Sequence, residues 1–284
     1  MSISVVIPAF NEGEAIGPVL DELLHMNLFH EIIVVNDGSS DNMVEVVSQY
    51  TSVTLINHPY NIGNGAAVKT GIRAATGDYI LMMDGDGQHP PTSIPCLLEF
   101  VDSYDMVVGA RTSASEARWH RNVANKLFNM YASYVVSYPV SDLTSGFRVI
   151  RTQIARKFLY LLPNSFSYPS TLTIALFRAG YAVKYVSFAA PMRKGRSKIK
   201  PIRDGLRFLL TVTRLAIFFV PLKIFIPASL LFLAIGSCYT ALILSLEHRY
   251  SGMGGLILMI GVLVFLLGLI SEQIALLRYI NSDQ

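Results

Sequence analysis

Cysteine, charge and a leader segment are scarce or missing in this sequence, and each absence excludes a class of protein. Only two cysteines occur, Cys96 and Cys238, so a disulfide framework is excluded and a reducing compartment fits. Charged residues make up 15% of the chain, against roughly 25% in an ordinary soluble domain, and the net charge of +3 is too small to indicate a nucleic-acid partner. Met1 leads directly into apolar residues without a basic region or cleavage site, which predicts a first strand and not a signal peptide.

The shortage of charge is greatest in the last third of the chain, where two apolar runs predict a transmembrane hairpin. Residues 224–246 carry no charge, and residues 254–277 carry only Glu272. Each run has the length, about 20 residues, that crosses a bilayer. The alternative is a pair of buried core helices. This alternative is disfavoured because two such apolar runs lie side by side in the sequence. Two explanations of Glu272 stay open, snorkelling toward the interface and a polar contact between helices.

Basic residues collect just before the first apolar run. Nine Lys or Arg residues lie between Arg193 and Lys223, whereas the loop between the runs carries Arg249 and His248. The positive-inside rule therefore predicts that the globular part, residues 1–200, lies on the cytoplasmic face, with a bacterial or archaeal inner membrane favoured. Residues 201–222 predict an amphipathic helix among lipid headgroups, and residues 223–284 predict the hairpin with a short cytoplasmic tail.

Strands and helices alternate through the first half of the chain. Apolar runs at residues 3–7, 31–35, 53–56, 79–83 and 105–109 read as strands, and residues 181–188 read as a last short one. Helical patterns separate the earlier runs, which predicts an α/β fold with a mostly parallel, doubly wound sheet. Each run ends in polar, small or turn residues, so we expect the loops that follow them to line one crevice.

The central motif follows the strand that begins at Tyr79. Asp84 and Asp86 lie two positions apart, so on an extended segment their side chains point the same way and converge on one cation. Gln88 adds a neutral oxygen, and Gly85 allows a ligand to approach the backbone closely. Sparse oxygen ligands of this kind suit Mg²⁺ held together with a substrate phosphate. The alternative is a plain turn, since Asp-Gly pairs are common turn formers.

Two basic features have both a structural and a functional interpretation. Lys69 lies one turn into a helix that follows the small-residue loop 61–65, so the loop either packs closely on the sheet or contacts a phosphate. The cluster around Arg121, at the start of a later helix, is either a solvated face or a site for an anion.

Five motifs in order resemble the polyprenyl-phosphate glycosyltransferases, which are similar to dolichol-phosphate mannose synthase within the inverting family 2 glycosyltransferases. The resemblance covers nearly the whole chain, including the hairpin. The motifs are Val5 through Glu12, Val35 through Asp41, Asp84 through Pro90, Asp142 through Arg148, and Arg193 through Lys198. The resemblance implies the GT-A fold, interfacial helices and a metal-dependent sugar transfer.

The resemblance also implies a role for each matching residue. Asp86, Asp142 and Arg148 are expected to be catalytic. The nucleotide sugar is expected to contact Pro8, Ala9, Asn11, Glu12, Asp37, Ser39, Lys69, Asp84, Gly85, Asp86, Arg111 and Arg193. The lipid phosphate is expected to contact Arg121, Ser145, Arg148 and Lys198, and Mg²⁺ or Mn²⁺ is expected to bind Asp84, Asp86 and Gln88. The sequence departs from the family pattern at Asn36, where an aspartate is usual, and in residues 165–171, which lack an acidic residue.

The implied reaction transfers a hexose from UDP-glucose or GDP-mannose to undecaprenyl or dolichyl phosphate, with inversion. A homo-oligomer and a downstream flippase are further implied partners. Two rivals remain. A processive polysaccharide synthase also needs a Gln-x-x-Arg-Trp stretch and more spans, which this sequence lacks. A non-catalytic membrane scaffold that binds nucleotides does not require Asp84, Asp86 and Gln88 to face one cation.

Overall fold

A computed structural model describes residues 1–112, 119–189, 210 and 212–282, and for residues 119–127 and 278–282 it describes the backbone alone. Contacts divide the chain into two compact units, Met1–Phe208 and Leu209–Gln284.

The first unit alternates strands and helices. Its strands are β1 (Ile3–Ala9), β2 (Glu31–Asn36), β3 (Val53–Asn57), β4 (Tyr79–Met82), β5 (Met106–Arg111), β6 (Arg148–Arg151) and β7 (Val183–Phe188). Its helices are α1 (Gly13–Met26), α2 (Met43–Ser48), α3 (Asn64–Ala74), α4 (Ile94–Leu98), α5 (Trp119–Val136), α6 (Thr152–Lys157) and α7 (Tyr168–Arg178).

The described part of this unit forms a seven-stranded sheet in the order β3-β2-β1-β4-β6-β5-β7. All neighbouring pairs are parallel except those of β6, which runs antiparallel to both β4 and β5. The predicted mostly parallel, doubly wound sheet is therefore confirmed.

Helices cover both faces of the sheet. Side chains of α1, α2 and α4 form one apolar core with alternate residues of the strands, including Val5, Val34 and Leu81. On the other face α3 packs so closely on β1 that a Cβ on Gly71 would overlap the Val6 side chain. Burial on both faces explains why these strands are continuous apolar runs and do not alternate with polar residues.

Strand β6 was not predicted, and the helix expected over its following residues is wrong in part. The spacing of Ile154, Phe158, Leu161 and Leu162 in the sequence predicts one helix with these residues on its apolar face. The structure instead has the four-residue strand β6, the short helix α6 and a 3₁₀ turn, Leu159–Leu161. The strand is too short to show a periodic pattern, and the arginine at each of its ends breaks the apolar run that would indicate a strand.

The orientation of β6 decides where its preceding loop lies. Parallel strands leave the sheet at one edge, and an antiparallel strand enters at that same edge. The loop that ends at β6, residues 142–147, therefore lies at the edge where β1, β2, β4 and β5 end. The order of strands reverses between β1 and β4, which is the position where open α/β sheets bind ligands.

The second unit is a helical hairpin. Helix α8 (Leu222–Glu247) and helix α9 (Gly252–Ser282) follow a helical segment at residues 212–219. Small residues let the two helices approach: Ser229 Oγ donates to the Gly261 carbonyl oxygen at 2.9 Å, and a Cβ on Gly268 would lie 2.5 Å from Phe225 Cβ. Such close contacts through small residues are typical of membrane helix pairs.

The surface of the hairpin is largely apolar and exposed. Both helices are long and apolar enough to cross a membrane, and only 11% and 17% of their most apolar windows are buried. This excludes the alternative of two buried core helices. Glu272 Oε2 lies 3.5 Å from the Leu222 amide nitrogen at the start of α8, a position where a helix favours a carboxylate, and this agrees with the polar-contact explanation.

Candidate functional site

The loops after β1 and β2 are tied together at the carboxyl edge. Asn11 has a left-handed backbone, with φ of 56°, and its Oδ1 accepts the Ser40 amide proton at 2.8 Å. The Asn11 amide donates to Ser39 Oγ at 3.0 Å. Of the predicted nucleotide-binding residues here, Pro8 and Ala9 are buried in β1, whereas Asn11, Glu12 and Ser39 reach the surface of the edge.

Asp37 lies beneath this surface. It is 2% exposed, and its carboxylate accepts the backbone protons of Ile62 and Gly63 at 3.0 and 2.8 Å. His58 Nδ1 meets the same carboxylate at 2.8 Å, and His58 Nε2 lies 2.9 Å from Thr70 Oγ1. Asp37 therefore fixes the course of the loop at residues 58–63, and its predicted contact with the nucleotide stays a prediction.

Asn36, where the family usually has an aspartate, joins two strands. Its Nδ2 donates to Asn57 Oδ1 at 2.9 Å, and its Oδ1 accepts the Ser39 amide proton at 2.9 Å. A neutral amide can donate and accept at once, which a carboxylate cannot.

The loop after β4 presents the candidate metal ligands. Asp86 accepts two hydrogen bonds from Gln88, one from its backbone amide at 3.0 Å and one from its side-chain Nε2 at 2.8 Å. Asp84 and Asp86 are both partly exposed on this loop, and Gly87 supports its turn with φ of 73°. Gly85 packs on the end of β1, because a Cβ there would meet Ile7 and Ala9 within 3.6 Å.

The donor set of this loop fits a cation that is shared with a substrate. No group of three or more His, Cys, Asp or Glu side chains with metal-binding geometry occurs in the described part of the chain. Two accessible carboxylates on one tight loop are the sparse oxygen set that Mg²⁺ uses with water and phosphate. The side chain of Gln88 turns its Nε2 to Asp86, so Gln88 would have to rotate to offer its oxygen.

His89 is a residue of this loop that the sequence analysis missed. It is 4% exposed, and its Nδ1 accepts the Asp84 amide proton at 2.9 Å. Burial lowers the pKa of His89 to about 4, and this outweighs the opposite effect of the Asp86 and Asp142 carboxylates. Nδ1 also lies 3.8 Å from Asp84 Oδ2, but a nitrogen that accepts the amide proton carries none of its own, so we do not count this contact as an ion pair.

Arg111 and Asp142 form a buried pair at the same edge. Arg111 Nε donates to Asp142 Oδ2 at 2.8 Å, and Nη2 donates to Oδ1 at 3.0 Å and to Thr144 Oγ1 at 2.8 Å. Burial alone would raise the pKa of Asp142, but the hydrogen bonds and charge of Arg111 hold it below its usual value. The pair joins the end of β5 to the loop at residues 142–147, and Arg111 must leave it to contact a diphosphate fully.

Arg148 and Ser145, which were expected to contact the lipid phosphate, are 0% and 1% exposed. Arg148 Nη1 donates to the Pro169 carbonyl oxygen at 3.0 Å and to Thr173 Oγ1 at 3.2 Å, and its Nη2 donates to the Ser145 carbonyl oxygen. In this conformation neither side chain can contact a lipid phosphate. Arg148 instead holds the loop before β6 against α7.

Lys69 makes two hydrogen bonds within the first unit, and its predicted contact with a phosphate stays a prediction. Its Nζ donates to the Leu162 carbonyl oxygen at 3.1 Å and to Asn164 Oδ1. It therefore ties α3 to the residues after the 3₁₀ turn, and in this conformation it is already engaged.

Three predicted residues are not tested by this geometry. Arg193 and Lys198 lie outside the described residues, and of Arg121 only the backbone, in α5, is described.

Comparison with known proteins identifies the family. Residues 4–159 match Glycosyl transferase family 2, which is more than half of the chain, and the chain belongs to this family. Residues 220–277 match a second family, the GtrB C-terminal hairpin, over the two helices α8 and α9. The family expected from the sequence motifs is therefore confirmed.

Curated relatives include two kinds of polyprenyl-phosphate enzyme. Dolichyl-phosphate beta-glucosyltransferase ALG5C of Trichomonas vaginalis is 33% identical over 183 residues, covering 56% of this chain and 53% of the relative. Undecaprenyl-phosphate 4-deoxy-4-formamido-L-arabinose transferase of Proteus mirabilis is 29% identical over 163 residues, covering 54% and 49%. The chain thus spans about half the length of the curated relatives it matches.

Solved structures support the fold. Glucosyl-3-phosphoglycerate synthase of Mycobacterium tuberculosis, crystallised with Mn²⁺, UDP-glucose and phosphoglyceric acid, is 21% identical, with a TM-score of 0.63 over 76% of this chain and 79% of that one. This likeness shows the fold of the first unit, which is the GT-A-like fold that the motifs implied.

Proposed function

We propose that this chain transfers a sugar from a nucleoside diphosphate sugar to a polyprenyl phosphate in a membrane. One observation carries the proposal: a family 2 sheet with two accessible aspartates at its switch point lies on the same chain as an apolar, exposed hairpin. The two kinds of relative support it, since the names of both contain a polyprenyl phosphate.

The nucleotide sugar would bind at the edge formed by the loops after β1, β2 and β4. Asn11, Glu12 and Ser39 would contact the nucleoside, with Asp37 holding the neighbouring loop in place. Asp84, Asp86 and Gln88 would hold Mg²⁺ or Mn²⁺, which neutralises the negative charge that develops on the leaving diphosphate. Mn²⁺ is present in the related mycobacterial structure, so it is the first metal to test.

The acceptor needs little activation. A phosphate monoester has a second pKa near 6 and is largely a dianion at neutral pH. Its oxygen attacks the anomeric carbon, the bond to the nucleoside diphosphate breaks, and the configuration at that carbon inverts. No acidic residue is then required in residues 165–171, where the family pattern led us to expect one.

The remaining roles are proposals for the acceptor side. Asp142, released from Arg111, would orient the acceptor, and Arg111 and Arg193 would neutralise phosphate charge on the donor. Arg121 and Lys198 would contact the lipid phosphate. The positive-inside rule supports our proposal that the first unit lies on the cytoplasmic face, and the expected homo-oligomer and flippase remain predictions.

The test is a transfer assay on the full chain in detergent with polyprenyl phosphate and radiolabelled UDP-glucose, GDP-mannose and N-acetylated or uronic nucleotide sugars. We expect label in the lipid fraction with one donor, and retention of the α configuration would refute the displacement. Asp86→Ala should lower the rate by about 100-fold or more. Asp102→Ala, at an exposed turn, is the matched control and should keep the rate. A near-normal rate in Asp86→Ala would overturn the metal assignment, and release of free sugar without lipid would indicate a hydrolase.

A further inference from the structure

His89 contacts three segments that meet at the carboxyl edge. Its Nδ1 accepts the backbone proton of Asp84, at 2.9 Å. Its ring stacks on Phe147 with centroids 5.2 Å apart and planes 12° apart, and it meets the edge of Phe188, at the end of β7, at 6.1 Å. Asp84 begins the metal loop, and Phe147 ends the loop that leads into β6.

The protonation of the ring follows from its partner. A backbone amide can only donate, so Nδ1 of His89 must carry a lone pair, and the proton of the neutral ring lies on Nε2. The direction of the Asp84 amide, and with it the start of the metal loop, is therefore fixed by one buried acceptor.

The two loops that His89 touches are also in close contact with each other. A Cβ on Gly146 would lie 3.2 Å from Asp84 Oδ2, and Gly109 of β5 donates its amide proton to the Phe147 carbonyl oxygen at 2.8 Å. Phe147 is 0% exposed, so its ring is a fixed surface for the histidine to stack on. A shift of the His89 ring would move Asp84 relative to residues 142–147.

We propose that His89 is a positioning residue, which holds the loop of Asp84 and Asp86 in its metal-binding conformation by accepting the Asp84 amide proton and stacking on Phe147. This inference rests on the proposed function, because it assigns His89 a role toward the metal that those aspartates would bind. Residues that orient metal ligands in this way affect metal affinity without touching the ion.

Three variants separate the hydrogen bond from the stacking. His89→Asn places an amide oxygen where Nδ1 lies, so it keeps the acceptor and loses the stacked ring. His89→Phe keeps the stacked ring and loses the acceptor, and His89→Leu loses both. His30→Leu, at an exposed histidine before β2, is the control.

The measurement is titration of the full chain in detergent with Mn²⁺ alone, followed by the electron paramagnetic resonance signal of the free ion. We expect His89→Phe and His89→Leu to bind Mn²⁺ about 10–100-fold more weakly than the wild type. His89→Asn keeps the acceptor and should recover most of the affinity that His89→Leu loses, and His30→Leu should not change the affinity. Equal affinity in His89→Phe and the wild type, or an Asn variant as weak as the Leu variant, would overturn the inference.

Two further comparisons keep the test decisive. If His89→Leu does not fold, as judged by its thermal transition, the Asn and Phe variants still decide the matter, because one keeps the acceptor without the ring and the other keeps the ring without the acceptor. Asp86→Ala should abolish tight Mn²⁺ binding. If Asp86→Ala still binds Mn²⁺ tightly, the metal site and the proposed function are both wrong. If Asp86→Ala loses tight binding but His89→Phe binds like the wild type, only the role of His89 is wrong.

Discussion

Asp142→Asn tests the buried pair that joins β5 to the loop at residues 142–147. The substitution keeps the volume of the side chain but removes its negative charge. One of the two oxygens that accept hydrogen bonds from Arg111 also becomes an NH₂ group, which cannot accept a proton from the guanidinium. The two hydrogen bonds at risk are those from Nε, at 2.8 Å, and from Nη2, at 3.0 Å.

The size of the effect follows from the burial of the pair. The side chains of Arg111 and Asp142 are only 17% and 10% exposed. Removing one partner of a buried pair costs about 3–5 kcal/mol, because the other charge is left without compensation. Arg111 keeps its bond to Thr144 Oγ1, so we expect the lower end, about 3 kcal/mol, which corresponds to roughly a hundredfold change in an opening equilibrium.

Hydrogen exchange measured by mass spectrometry reports this opening directly. In the wild type the Thr144 amide donates to Asp142 Oδ1 at 3.2 Å. The peptide that covers residues 142–148 should exchange about 100-fold faster in the Asp142→Asn variant, in proportion to the change in the opening equilibrium.

A more exposed pair provides the control for this experiment. Asp105 lies 3.6 Å from Arg151, and their side chains are 29% and 41% exposed. Asp105→Asn should change the local opening free energy by less than about 1 kcal/mol. Unchanged exchange in Asp142→Asn, or an equal change in both variants, would refute the argument from burial.

Two further predictions concern regions away from this pair. Burial would raise the pKa of Glu31, but hydrogen bonds from Ser4 and Thr76 hold this pKa below the usual 4.5. The ionised Glu31 side chain therefore stabilises the fold above pH 4.5, and this stabilisation is lost as the pH falls below that value. Glu31→Gln should therefore lower the unfolding free energy by about 1 kcal/mol at pH 7, with its stability curve meeting that of the wild type in acid. Gly268→Leu should separate the hairpin helices and lower the thermal transition temperature of the chain in detergent. Gly255→Leu is the control and should not lower it, because no atom lies within 4 Å of a Cβ at that position. Equal transition temperatures in the two variants would contradict the packing argument.

The sheet was largely predictable from the sequence because its central strands β1, β2, β4 and β5 are buried on both faces. Such strands are continuous apolar runs, and the turn residues after them mark the edge where ligands bind. Strand β6 escaped this reasoning because its four residues begin with Arg148, which the fold buries completely. A buried arginine that donates to backbone carbonyls has the same appearance in a sequence as an exposed one.

The site was predictable where a single loop carries it and not where distant residues meet. Asp84 and Asp86 are two positions apart on the loop after β4, so a local pattern finds both, and their convergence on one cation stays a prediction. Arg111 and Asp142 are brought together by the pairing of β5 with β6, which no local pattern contains. His89 follows the metal motif directly, and a histidine before a proline gave no signal that its ring would face inward.

The reversed direction of β6 has a consequence for engineering the enzyme. Residues 142–147 lie at the same carboxyl edge of the sheet as the loops after β1, β2 and β4, but they precede their strand and do not follow it. Their backbone therefore continues into a strand and not into a covering helix. A graft of this hexapeptide from a relative needs only two backbone joins. It must keep Asp142, Gly146 and Phe147, because these residues contact Arg111, Asp84 and His89. Chimaeras of that kind test whether residues 142–147 recognise the acceptor, as we propose.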